Sequence, residues 1–258
     1  YLVIEKTREV PTGHNVGQRM ARLIRAVELK IPTIFFCPFK ARKHGKYSSI
    51  CNINGRLFQA YEKIWNIHNV PIFLVNWKCD DNGELINDGT EDLEIKEIIQ
   101  MLINTNFIGD EKYLNFNKQT IIENINKSNK KHSNYKNPPK SVQILNTNKF
   151  LKNFNPLIKK NYKEKLNKHK QTVIYEIKMK PEKAKRQDPY TGMQFIYDYL
   201  YCRNGIRKND KNKNLILYFP LLNKKLWETI NPNDNTKNSN WYLTANGLLF
   251  KDGFISIR

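Results

Sequence analysis

Cysteine is scarce in this chain, with four in 258 residues. Cys37, Cys51, Cys79 and Cys202 stand apart without a C-x-x-C pair, which excludes a disulfide framework and fits a reducing, cytoplasmic compartment. Cys37, His44 and Cys51 are evenly spaced, yet the spacing matches no standard zinc motif, and Cys37 lies in an apolar run where a buried thiol is the simpler expectation. Long hydrophobic runs are missing too. The longest, around residues 31–39, falls far short of the ~20 residues that span a bilayer, and no signal peptide is visible, so no membrane partner is expected. Phosphate-cradling glycine loops are also lacking. Gly13 and Gly17 do not form G-x-G-x-x-G, there is no Walker A sequence, and no G-x-S-x-G elbow exists for acyl transfer. Kinase, dehydrogenase and esterase chemistries lose their sequence basis accordingly.

The last deficit is of acids: 24 Asp and Glu stand against 44 Lys and Arg, a net charge of +20. Abundant Lys, Asn and Ile reflect A- and T-rich codons in part, but codon bias does not produce an excess of cations over acids. A polyanion is the natural partner, because neutralising phosphates releases condensed counterions. A generally basic protein with a solvated surface is the bland alternative. The length suffices for one large or two smaller hydrophobic cores. Since the chain opens at Tyr1 in what reads as mid-strand, a segment preceding it is expected.

Taken in order, the chain alternates. Leu2-Val3-Ile4 begins a strand, and a turn with Pro11 and Gly13 leads to a basic amphipathic helix with Thr12 or Asn15 as N-cap. Val16, Met20, Leu23 or Ile24 and Val27 form its core stripe, while Gln18, Arg22 and Arg25 share another face. The runs at 31–39 and 70–77 read as buried strands, residues 54–67 and 93–103 as helices, and 40–49 as a basic loop. The acidic stretch 80–92 does not fit the twelve-residue calcium-loop pattern and reads as a solvated turn. Residues 115–140 turn polar and Asn-rich, ending in Pro138-Pro139, as a linker or surface excursion would. The later half offers a basic segment at 157–170, an alternating strand at 172–180, an aromatic helix at 193–202, the strand LILYFPL and a hairpin turning at Lys251-Asp252-Gly253. The expected organisation is an α/β core over residues 1–110, a polar connection over 111–140, and a basic α+β region over 141–258.

Two places carry the residue types of phosphodiester hydrolysis, in which carboxylates hold Mg²⁺ and a Lys or polar residue orients the nucleophile. In the first, Glu5 and Thr7 share a strand face by the two-residue alternation, with Glu9 a possible extra acid, while Lys6 points the opposite way. This strand, its E-x-T step and the helix with an early Gln-Arg resemble the active-site half of a PD-(D/E)xK restriction endonuclease. The family's pattern is an upstream Asp, then (D/E)-x-K on a strand, often with a Gln on the next helix. Glu5 matches the acidic position and Gln18 the helical glutamine. Thr7 stands where Lys is usual, and the upstream Asp has no counterpart, since only four residues precede Glu5. The alternative is a charged strand end beside a helix cap. The second place is Glu176-Ile177-Lys178, a literal E-x-K, with Asp188 beyond it; its alternative is a cross-strand ion pair on a solvent face.

The resemblance implies a mixed sheet flanked by helices, a restriction-endonuclease-like core. It further implies a Mg²⁺-dependent endonuclease that cuts duplex DNA at a specific sequence, acting as a homodimer. Catalysis would fall to Glu5, Thr7, Gln18, Glu176 and Lys178, metal binding to Glu5, Glu176 and Asp188. His14, Asn15, Arg19, Arg22, Lys43, Lys185 and Arg186 are the candidate contacts to nucleic acid, with His14 equally readable as a turn histidine. A nucleic-acid-binding protein without catalysis is the competing expectation, in which the basic residues matter and the carboxylates do not.

Overall fold

The structure, a computed structural model, describes residues 1–11, 14–42, 49–106, 109–131, 142–154, 166, 169–178, 194–205, 212–221, 247–250 and 253–257. Within these, the side chains of 14–18, 128–131, 150, 151, 153, 154, 219 and the last two segments lie outside the description. The chain forms two compact units, Tyr1–Tyr135 and Lys136–Arg258.

The first unit follows from its apolar runs. β1 (Val3–Lys6), α1 (His14–Glu28), β2 (Thr33–Cys37), a small hairpin of β3 (Lys40–Arg42) and β4 (Ile50–Asn52), α2 (Gly55–His68), β5 (Ile72–Asn76), α3 (Thr90–Asn104) and α4 (Glu111–Lys131) succeed one another. β1, β2 and β5 pair in that order, all parallel, with Glu5 opposite Phe35 and Phe35 opposite Leu74. A buried parallel sheet needs cover on both faces. Ile34, Phe36, Phe73, Val75 and Trp77 meet Ile98 and Leu102 of α3 on one side. On the other, Phe35 meets Tyr61 of α2 edge-on at 5.7 Å, and the α1 stripe of Met20, Leu23, Ile24 and Val27 is buried as its spacing requires. Asn54 caps α2 by accepting the Arg56 N–H at 2.9 Å, and Asn69 ends it in the left-handed conformation.

Three expectations change here. The stretch 40–49, read as one basic loop, begins with the strand β3, which pairs with β4 just beyond it. The sheet of this unit is parallel, as its alternation of strand and helix implies, whereas the resemblance implied a mixed sheet; the mixed sheet lies in the second unit. The stretch read as a connection, 111–140, holds the helix α4 over Glu111–Lys131. Its buried Ile121 and Ile125 keep helical spacing, and α4 packs on α2. Asn and Lys hid this pattern, because Asn117 and Asn124 side chains donate back to carbonyls one turn earlier, at 3.1 and 2.8 Å.

The second unit is built on a five-stranded mixed sheet ordered β6 (Val142–Asn146), β7 (Gln171–Glu176), β8 (Lys213–Phe219), β10 (Gly253–Ile257) and β9 (Gly247–Phe250). β7 and β8 run parallel, and the other neighbours are antiparallel. α5 (Thr147–Phe154) follows β6, and the helical residues 194–197 continue into a π-helical turn, Asp198–Cys202. The final hairpin pairs β9 with β10 as expected from the sequence. Together the units establish a mixed α/β protein, and among the described residues no helix is long and apolar enough to cross a membrane.

A buried polar knot fixes β6, β7 and β8 together. Thr147 and Thr172 hydroxyls lie 2.8 Å apart, and the Asn214 amide donates to the Leu166 carbonyl at 2.7 Å and to the Thr172 hydroxyl at 3.1 Å. Thr172 and Asn214 are register partners on the parallel strands. Asn214→Ala strands a buried carbonyl and opens a small void, and should destabilise the protein by about 2 kcal/mol. Denaturant unfolding of the whole chain reads this as a lower midpoint. An unchanged midpoint would show that the knot is not stabilising.

Candidate active site at the carboxyl end of the parallel sheet

In parallel α/β sheets ligands gather at the carboxyl ends of the strands, and β1 ends there in Glu5 and Lys6. Alternation sends the two side chains to opposite faces. On the α3 face, the Lys6 ammonium sits 4.7 Å from the Trp77 ring centre and 5.2 Å from that of Phe36, and the Arg8 guanidinium 5.8 Å from Trp77. Phe36 and Trp77 stack at 4.7 Å. A cavity of about 200 Å³ opens beside them, lined also by Ile86, Asn87, Gly89, Glu91 and Asp92. The Glu91 carboxylate is engaged, accepting the Lys78 N–H at 3.0 Å.

On the other face Glu5 meets α1. One of its oxygens, Oε1, accepts from both Arg19 and Arg22, the second at 2.7 Å. The Glu5 and Arg19 side chains are 12% and 21% exposed, whereas Arg22 is 61% exposed, so one guanidinium is built into the fold and the other lies at its surface. Arg19 also reaches the Lys6 carbonyl at 3.4 Å. The local balance is therefore one carboxylate to two guanidiniums, a net positive site. Thr7 follows on the Glu5 face, is buried, and its hydroxyl accepts the Glu9 N–H at 3.1 Å, closing the turn after the strand. Its N–H donates to the Phe36 carbonyl, which carries the parallel ladder one step beyond Glu5. Cys37 and Asn76, register partners at the ends of β2 and β5, share this edge. The Asn76 side chain accepts the Phe39 N–H at 2.9 Å.

Cys37 and Tyr61 are both buried here. Burial pushes the Cys37 thiol up, against the opposing pull of Arg19. Burial first, then Cys37 and Glu5, push the Tyr61 phenol well above its ordinary range, so both groups remain protonated. Sequence reasoning missed them as site residues. Tyr61 reads as a core position of α2 and Cys37 as a buried thiol, and only the strand register, for Cys37, and the ring contact with Phe35, for Tyr61, show that they share the Glu5 face.

The structure brings Glu5, Thr7, Arg19 and Arg22 together and keeps Lys6 away, as alternation requires. His14, Asn15 and Gln18 fall in the first turns of α1, but their side chains lie outside the described residues, as do Lys43, Lys185, Arg186 and Asp188 altogether. Glu176 ends β7, and Lys178 pairs with it at 3.7 Å while 79% exposed, the geometry of a surface ion pair. The helical segment after it opens with Gln194, which is buried. In the acidic stretch, Asp80 accepts the Glu84 N–H at 2.8 Å and Asp88 the Thr90 N–H at 3.0 Å, so these carboxylates hold a turn. Among the described residues no three His, Cys, Asp or Glu side chains are grouped to hold a metal ion.

Compared with protein-family models, with curated proteins and with solved structures, the chain matches none.

Proposed function

We propose that this protein is a Mg²⁺-dependent endodeoxyribonuclease that cleaves duplex DNA, with its site at Glu5. The carrying observation is a carboxylate at the carboxyl end of β1 held between two guanidiniums from the following helix. Hydrolysis of a phosphodiester needs an acidic oxygen for the cation and cations for the phosphate, and this cluster supplies both. A net charge of +20 supports a nucleic-acid substrate. A homodimer cutting both strands of a palindromic site belongs to the same proposal.

The residues fit Mg²⁺ in a minimal way. This ion commonly takes one or two carboxylates and completes its shell with water and substrate phosphate. Glu5 would hold it through Oε2, since Oε1 carries both arginines. Two guanidiniums beside that oxygen oppose a free divalent cation, so the fit is to a cation that arrives with a phosphate. When bound, Mg²⁺ supplies Lewis acidity toward a water and the phosphate. The chain's own part is positional. Arg22, the exposed guanidinium, is free to exchange the carboxylate for a phosphate oxygen, whose geometry suits its forked donors. Arg19 keeps Glu5 in place while it does so. The attacking water would form a new P–O bond as it gives a proton to solvent, and the P–O bond to the departing sugar oxygen would break as that oxygen takes a proton from solvent.

A second reading, a DNA-binding protein without catalysis, is favoured by the same pair of arginines if Glu5 serves only to orient them. Incubating the protein with plasmid DNA in Mg²⁺ and in EDTA separates the two. The nuclease nicks or linearises the plasmid only with Mg²⁺. Retarded but intact DNA in both conditions would give the protein to the second reading.

A further inference from the structure

Beside Glu5, two buried donor atoms, the Tyr61 hydroxyl and the Arg19 Nε, have no hydrogen-bond partner among the described residues. A buried hydroxyl without a partner is destabilising, and Phe at the same position would avoid the cost with the same ring packing. Tyr61 is 1% exposed, and its ring is fixed edge-on against Phe35, which lies opposite Glu5 in the sheet. The ring therefore lies on the sheet face that carries Glu5, Phe35 and Cys37.

We propose that Tyr61 is a positioning residue of the Glu5 site, its hydroxyl and the Arg19 Nε reserved for an oxygen of the reacting group. This rests on the nuclease reading above and adds a residue to it. Two oxygens have the required chemistry, that of the attacking water and a phosphate oxygen of the DNA. Each accepts a hydrogen bond from a neutral phenol: on the phosphate oxygen that bond strengthens as negative charge collects there in the transition state, and on the water it fixes the attacking oxygen in place.

Tyr61→Phe tests the assignment because its two readouts move in opposite directions. Thermal unfolding of the full chain should shift up by a few degrees, since an uncompensated buried hydroxyl is removed. Cleavage of a plasmid in Mg²⁺ should fall about ten- to a hundred-fold, the value of one hydrogen bond to a charged oxygen. If the oxygen belongs to the water, turnover falls and duplex affinity in EDTA is unchanged. If it belongs to the phosphate, that affinity falls as well. A lower unfolding temperature would reveal a structural partner for the hydroxyl and overturn the proposal, as would unchanged cleavage by the variant beside an active wild-type protein. Failure of the wild-type protein to cut DNA in the same assay would instead remove the nuclease reading, and the role of Tyr61 with it.

Discussion

Glu5→Gln should lower DNA cleavage by on the order of a hundredfold or more while leaving duplex binding in place. Gln keeps the volume and one carbonyl oxygen for Arg19 and Arg22 but removes the charge that a cation would need. Binding measured in EDTA should hold or tighten, because a negative charge near the phosphates is gone and the exposed Arg22 is held less tightly. Glu176→Gln is the matched control from the second unit. Its partner Lys178 is 79% exposed at 3.7 Å, so the change should reduce stability by less than about 1 kcal/mol and leave cleavage unaffected. The opposite result, with cleavage lost on changing Glu176 and retained on changing Glu5, would transfer the active site to the E-x-K strand and leave Glu5 an anchor for α1.

The strength of periodicity decided how much of this was legible. β2 and β5 are continuous apolar runs too short for helices, and α1 and α2 keep a stripe of apolar residues at helical spacing, so the first unit could be read nearly element by element. α4 escaped because its stripe is thin, only Ile121 and Ile125 being buried apolar residues of its length, and because Asn is a poor helix former in isolation that here bonds back to its own helix. β6, with only partial burial at Val142 and Leu145 and with Gln143 and an exposed Ile144 between, gave no run to recognise. At the site, the face shared by Glu5 and Thr7, and the exclusion of Lys6 from it, came directly from alternation along one strand. The place of Cys37 and Asn76 beside them depends on how separate strands are staggered, and that of Tyr61 on how α2 packs against Phe35, neither of which a local pattern encodes. Arg19 and Arg22 were visible as basic helix residues, but that both would close on one carboxylate oxygen was not.

Arg19 and Arg22 should separate cleanly by substitution, because burial divides their roles. Arg19→Met leaves Glu5, only 12% exposed, with a single guanidinium that is itself 61% exposed. The cost should lie between that of an exposed and a buried pair, about 2 kcal/mol, whereas Arg22→Met should cost about 0.5 kcal/mol. Duplex affinity should show the reverse order. Arg22 is the guanidinium available to a phosphate, so its loss should weaken binding across sequences and reduce the salt dependence by roughly one counterion, while Arg19→Met changes the slope little. The double variant Glu5→Gln/Arg19→Met completes the cycle. With no carboxylate left stranded, its loss of stability should fall short of the sum of the Glu5→Gln and Arg19→Met losses by about 1 kcal/mol, the coupling expected of residues in direct contact. Denaturant unfolding gives the stabilities, and titration of a labelled duplex at several salt concentrations gives the slopes. Equal slopes for Arg19→Met and Arg22→Met would mean that both guanidiniums leave Glu5 for the DNA, and that the carboxylate is only their resting place in the free protein.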